Sequence, residues 1–122
     1  MKISELLSKK KPMLSFEVFP PKTEENYESV KSAAEKIAKL KPAFMSVTYG
    51  AGGGTGKYTL SLSEELMKNS GITPLSHLTC VSSTKEMINN QLTALKNAGI
   101  ENILALRGDI PNDMSREGLD FK

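Results

Sequence analysis

Four short apolar runs alternate with stretches of helical periodicity, and this alternation limits the folds open to the chain more than any single motif does. The runs cover residues 14–19, 44–49, 73–80 and 102–106, and their first residues lie roughly thirty apart, the length of one strand–helix–strand unit. Pro20 and Pro21 stop the first run, because proline lacks a backbone donor and disfavours helix at the residue before it. Tyr27, Val30, Ala34, Ile37 and Leu40 then recur at three- and four-residue steps as far as Pro42, which predicts an amphipathic helix. A second helix is expected from about Leu60, where Ser61 and Glu64 have capping-box spacing and Gly71 occupies the place of a left-handed C-cap. Ser83 and Glu86 repeat the capping pattern, Met87, Ile88, Leu92 and Leu95 mark the buried stripe of a third helix, and Gly99 closes it. Ahead of all these, Ile3, Leu6 and Leu7 predict a short amphipathic helix in an N-terminal segment, 1–12, whose apolar stripe caps other structure.

Strands and helices in this order imply a parallel sheet with right-handed crossovers, either an open doubly wound sheet or part of a (β/α)8 barrel. Side-chain alternation separates the two. Ser15 and Glu17 share one face of the first strand, Ser46 and Thr48 one face of the second, and His77 and Thr79 one face of the third. Helices on both sides of an open sheet would bury those polar groups, whereas in a barrel they line the interior towards the mouth. A barrel needs eight strands and about 250 residues; the expectation is therefore a half-barrel, α/β in class, with four strands and three crossover helices. The tail, 110–122, has loop composition and leaves the fourth strand without its crossover, so a fragment of a longer polypeptide is expected.

Composition narrows the function classes. A formal net charge of +2 over 122 residues, with Lys and Glu interspersed, is not the footprint of a nucleic-acid binder. Cys80 is the single cysteine and His77 the single histidine, which excludes an internal disulfide and a Cys- or multi-His metal site. No apolar run approaches the ~18 residues of a membrane span, and residues 1–12 lack a signal-peptide core. The expected location is the cytoplasm.

Chemistry in a parallel β/α sheet sits at the carboxyl ends of the strands, where Glu17, Thr48, Tyr49, His77, Thr79 and Arg107-Gly108-Asp109 collect. Glu17 lies inside a run of Leu, Phe and Val, so its carboxylate is either a paired structural group or one that a ligand needs. The segment AGGGTGKY, 51–58, fails as a phosphate-binding Walker loop: Ala51 replaces the first glycine and Tyr58 the hydroxyl residue that would hold magnesium. It serves either as close backbone approach to a cofactor or as a connector. His77 is a ligand-facing or a satisfied core histidine. Its pairing with Cys80 as a nucleophile is disfavoured, because residues three apart on a strand face opposite ways. Arg107 and Asp109 offer opposite hydrogen-bonding character to a planar polar ligand, or a local ion pair to each other.

SFEVFPPK at 15–22, SVTYGAGGGT at 46–55, SHLTC at 76–80 and ALRGD at 105–109 together, in this order, resemble the amino-terminal half of the methylenetetrahydrofolate reductase family. The resemblance implies that residues 1–122 form the amino-terminal part of one FAD-binding (β/α)8 barrel. Its family chemistry passes hydride from NADH or NADPH through the flavin to 5,10-methylenetetrahydrofolate, giving 5-methyltetrahydrofolate in a ping-pong scheme. By that resemblance Glu17 is the general acid that protonates folate N10, a role needing a carboxyl group that keeps its proton near neutral pH. Asp109 is the carboxylate beside flavin and folate that stabilises the developing iminium cation. Thr48 contacts the nicotinamide substrate, and Tyr49, Ala51, His77, Arg107, Gly108 and Asp109 contact the flavin. The family draws further contacts from later strands, so the 122-residue chain alone is expected to bind FAD weakly or not at all and to show no turnover. A homo-oligomer with no nucleic-acid, metal or membrane partner is expected. The competing readings are a non-catalytic half-barrel interaction module that self-associates through its sheet edges, and another flavin or phosphate-ligand barrel of the same architecture.

Overall fold

The computed structural model describes residues 1–50 and 56–110. In chain order these form α1 (Ile3–Ser8), β1 (Ser15–Val18), a 3-10 turn (Glu24–Asn26), α2 (Tyr27–Ala38), β2 (Phe44–Val47), α3 (Gly56–Ser70), β3 (Pro74–Thr79), α4 (Lys85–Asn97) and β4 (Ile103–Leu106). The four strands are parallel and lie in sequential order, β1-β2-β3-β4. Sequential order with crossovers of one hand puts every connecting helix on the same side of the sheet, and a doubly wound sheet would instead reverse direction. The chain is thus a (β/α) half-barrel, as the alternation predicts. The register sets Glu17 beside Ser46, Ser46 beside Leu75 and His77 beside Leu104.

The core lies between the sheet and its helices. Val18 of β1 and Met45 and Val47 of β2 pack against Ala34 and Ala38 of α2, Leu62 and Leu66 of α3, and Ile72. Met45 and Val47 have no exposed surface, and full burial of side chains of this size contributes about 1.5–3 kcal/mol each. Buried in this layer, the Ser63 and Ser76 hydroxyls hydrogen-bond across the α3–β3 interface at 2.7 Å, neither residue having exposed surface.

Several local expectations shift. α3 is already helical at Gly56, before the expected Leu60, and Ser61 is an interior residue whose hydroxyl donates to the Lys57 carbonyl at 2.9 Å. Such back-bonding one turn away leaves Ser61 no capping role. The cap of α4 is Thr84, not Ser83: the Thr84 hydroxyl accepts from the Met87 amide at 3.1 Å. On α4 only Leu95 is buried, whereas Met87 and Leu92 are exposed, since among the described residues no helix packs on their side. α1 has no buried residue either. It is held by polar contacts, the Asn102 side chain accepting from the Ile3 amide and donating to the Met1 carbonyl, both at 2.9 Å. The tail from 111 onwards lies outside the described residues.

Gly71 and Gly99 have the positive φ expected of left-handed caps, 65° and 82°. After α2 that place is taken by Lys41, at φ 55°, and a side chain there is strained, the more so before Pro42. Lys41→Gly is expected to raise stability by about 0.5–1 kcal/mol, read as a higher urea midpoint with an unchanged slope. A lower midpoint would show that Lys41 makes a compensating contact.

Candidate functional site

β1 and β2 end in register at Val18 and Val47, opposite Ser76, and β3 and β4 continue to Thr79 and Leu106, so the four strands deliver their last side chains to the same carboxyl edge of the sheet. On the face away from the helices, β1 contributes Ser15 and Glu17, β2 Ser46, and β3 Leu75, His77 and Thr79; β4 contributes Leu104 and Leu106. The polarity expected of this face is therefore confined to β1–β3. The ladder continues past β2, with the Thr48 amide donating to the Val18 carbonyl at 3.0 Å, and the Thr59 hydroxyl of α3 donates to the Thr48 carbonyl at 2.9 Å. Thr48 is thus pinned from two sides.

Beyond β3 and β4 the chain is laced in the same way. The amides of Cys80 and Val81 both donate to the Arg107 carbonyl, at 3.2 and 2.8 Å. Gly108 follows at φ 85°, and a Cβ there would lie 2.8 Å from Thr79 Cβ and 3.3 Å from Val81 Cγ1. Only glycine meets both conditions. This packing forms a cleft of about 450 Å³ lined by Tyr49, Thr79, Leu106, Arg107, Gly108 and Asp109. Arg107 turns its Nε onto the Gly108 carbonyl at 3.1 Å, so the local ion pair with Asp109 that the spacing allows is not made, and both charged groups remain exposed.

Tyr49 owes its placement to Gly56. A Cβ on Gly56 would meet the Tyr49 hydroxyl at 2.9 Å and its ring at 3.2 Å, so a poor helix former stands in the first turn of α3 because the ring lies against it. Burial, and then the neighbouring Cys80, push the Tyr49 phenol above its ordinary value, leaving a neutral hydroxyl at the cleft. Cys80 itself is exposed.

A second group sits beside the cleft. Glu17 Oε2 lies 3.8 Å from His77 Nε2, the carboxylate reaching across β2 above Ser46. The histidine is buried and the glutamate side chain is half exposed, 50%, so the apolar enclosure that the sequence suggests for Glu17 is not supplied by β1. Phe19, next along, is 70% exposed.

Sequence patterning places Tyr49, Arg107, Gly108 and Asp109 together, and they do share one cleft; Glu17 and His77 approach each other at 3.8 Å, and Thr48 does not line the cleft. Ala51 lies outside the described residues. The Glu17–His77 approach and the close packing of Gly56 and Gly108 were not read from the sequence. The one signal for the first was Ser46, a residue small enough to be spanned.

A separate cleft of about 410 Å³ on the outer face is lined by Tyr27, Lys57, Tyr58, Glu64 and Lys68 among others. Lys57 pairs with Glu24 at 3.5 Å and covers the Tyr58 ring at 4.7 Å, and Lys68 pairs with Glu64. Its charges are engaged with one another. Among the described residues no cluster of three or more His, Cys, Asp or Glu could hold a metal ion, and no helix is long and apolar enough to cross a membrane.

A family profile described as Methylenetetrahydrofolate reductase matches residues 2–121. The chain belongs to the methylenetetrahydrofolate reductase family. Among similar family members, a protein of Oryza sativa subsp. japonica named "Probable methylenetetrahydrofolate reductase (NADH)" is 36% identical over 115 residues, covering 94% of this chain and 19% of the rice protein. The "5,10-methylenetetrahydrofolate reductase" of Buchnera aphidicola subsp. Schizaphis graminum is 42% identical over 98 residues, 80% of this chain and 34% of that protein. The Escherichia coli (strain K12) protein of the same name is 38% identical over 98 residues, covering 80% of this chain and 33% of that protein. The chain therefore spans between a fifth and a third of the length of these family members.

Proposed function

We propose that this chain supplies the first wall of a flavin-dependent site that reduces 5,10-methylenetetrahydrofolate to 5-methyltetrahydrofolate with electrons from NADH or NADPH. The observation that carries the reading is the convergence at one sheet edge of an exposed acid, Glu17, with a mixed polar and apolar cleft built by Tyr49, Arg107, Gly108 and Asp109, in a chain of this family. The cleft suits FAD. It combines an aromatic phenol, an exposed guanidinium and carboxylate, and a backbone at Gly108 that no other residue could bring so close to Thr79.

When bound there, the flavin supplies the hydride relay between nicotinamide and folate, chemistry that no protein side chain offers. Tyr49, Ala51, His77, Arg107, Gly108 and Asp109 hold and orient it. Thr48 contacts the nicotinamide substrate. Glu17 gives a proton to folate N10, and the Asp109 carboxylate favours the positive charge that develops on the folate as its ring opens. Exposed Cys80 fits a reducing compartment, and we place the protein in the cytoplasm.

Because the chain spans only part of its relatives, the 122-residue polypeptide is expected to retain little or no FAD through gel filtration and to show no turnover. A chimaera in which residues 1–122 replace the matching segment of the E. coli reductase should be yellow and active. Turnover by the 122 residues alone would overturn the division of the site, and a colourless, folded chimaera would overturn the function. A second reading is favoured by β4, whose Ile103, Leu104 and Leu106 are 36–40% exposed on an edge that no other described strand pairs: the chain associates with copies of itself. Sedimentation of a flavin-free oligomer, beside a colourless chimaera, would select that reading.

A further inference from the structure

Among the described residues, His77 Nε2 is the one buried side-chain nitrogen or oxygen without a hydrogen-bond partner. Leaving such an atom unpaired costs about 1–3 kcal/mol, so its surroundings should contain a partner that closes on it. The group it meets is Glu17 Oε2 at 3.8 Å, too long for a hydrogen bond but within one side-chain rotation of it. The two side chains differ in freedom. That of His77 is 10% exposed and that of Glu17 50%, so the imidazole is the fixed member and the carboxyl the one that moves. Nothing charged intervenes: β2 places only Ser46 and Thr48 between them, and β4 places Leu104 and Leu106 beyond. Titratable groups on the segments that follow the strands include Lys22 and Glu24 after β1, Tyr49 and Lys57 after β2, Cys80 after β3, and Arg107 and Asp109 after β4.

We propose that His77 is a positioning residue for Glu17, its Nε2–H donating to Glu17 Oε2 so that Oε1 carries and aims the transferable proton. The proposal rests on the reading of Glu17 as the acid. One proton moves, from Oε1 to the substrate nitrogen, and the carboxylate left behind takes its replacement from solvent on its exposed side. The imidazole keeps its own proton throughout. Its hydrogen bond strengthens as Oε2 gains negative charge, which stabilises the transfer more than the resting state and therefore acts on rate.

Two measurements test this. Because His77 is the chain's only histidine, its ring nitrogens give unambiguous 15N signals in the 122-residue chain. Glu17→Gln is expected to move the Nε2 signal, and Glu24→Gln on the outer face to leave it in place; an Nε2 signal unmoved by Glu17→Gln overturns the proposal. In the chimaera, His77→Leu is expected to slow the folate half-reaction about tenfold, with flavin content and reduction by NADH followed in parallel. Measured per bound flavin, His77→Gln, which keeps an N–H near the Nε2 position, should restore part of the folate rate that His77→Leu loses, and His77→Leu should slow that step no further once Glu17 is Gln. If Glu17→Gln itself leaves folate reduction intact, the acid assignment fails and takes this proposal with it. If Glu17→Gln abolishes folate reduction while His77→Leu does not slow it, or while Gln rescues no better than Leu, the acid stands and the positioning role is wrong. Should His77→Leu not fold, the 15N signal decides the matter: an Nε2 signal that Glu17→Gln moves supports the positioning role, and one that it leaves in place overturns it.

Discussion

In the chimaeric reductase, Glu17→Gln should leave flavin reduction by NADH near the parent rate while folate reduction falls by about a hundredfold or more, the usual contribution of a positioned general acid. On the proposed roles the half-reactions separate, because hydride transfer from a nicotinamide would need no proton from this carboxyl, whereas opening the folate ring would. Gln is close to isosteric and keeps a polar head, so packing at the end of β1 is preserved and the loss reports on the proton. Stopped-flow flavin absorbance reads both steps. Equal loss in both would mean that Glu17 supports the cofactor, and no loss in either would remove it from the mechanism.

Of Gly56, Gly71, Gly99 and Gly108, Gly108 is expected to be the one whose change to alanine does most damage. At φ 85° an alanine is strained, and its Cβ would stand 2.8 Å from Thr79 Cβ. The left-handed backbone and the overpacking together should cost about 2–5 kcal/mol, lowering the melting temperature by on the order of 10 °C. The strain falls where Cys80 and Val81 donate to the Arg107 carbonyl, so the cleft distorts with it and flavin uptake by the chimaera should drop. Adding Thr79→Gly removes the clash but not the backbone strain, and should recover part of the melting temperature. A Gly108→Ala chain as stable as the parent would show that the loop can turn over at no cost.

The parallel half-barrel was legible because its determinants are local and repeated. The first two strand runs stop at Pro20-Pro21 and at Gly50, and Tyr27, Val30, Ala34 and Ile37 recur with helical period. The residues at the strand ends were legible for the same reason: once strands are placed, topology says where their last side chains gather. What escaped depended on neighbours far apart in sequence. Gly56 reads as a loop residue until the Tyr49 ring is seen against it, and Ser61 looks like a cap until its hydroxyl is found bonded one turn back. His77 and Glu17, sixty positions apart, meet only through the register of three strands. α4 shows the opposite error: its periodic Met87 and Leu92 mark an apolar stripe, yet burial requires a partner surface, and periodicity in one helix does not supply one.

The clasp between Asn102 and the backbone of Met1 and Ile3 also orders events in time. Of the described helices α1 leaves the ribosome first, but its anchor lies about a hundred residues later, an interval of roughly 5–20 s at ordinary synthesis rates. Until then a six-residue helix has too few hydrogen bonds to persist by itself. The earliest-made helix is therefore the last to set, and its docking reports that the fourth strand has arrived.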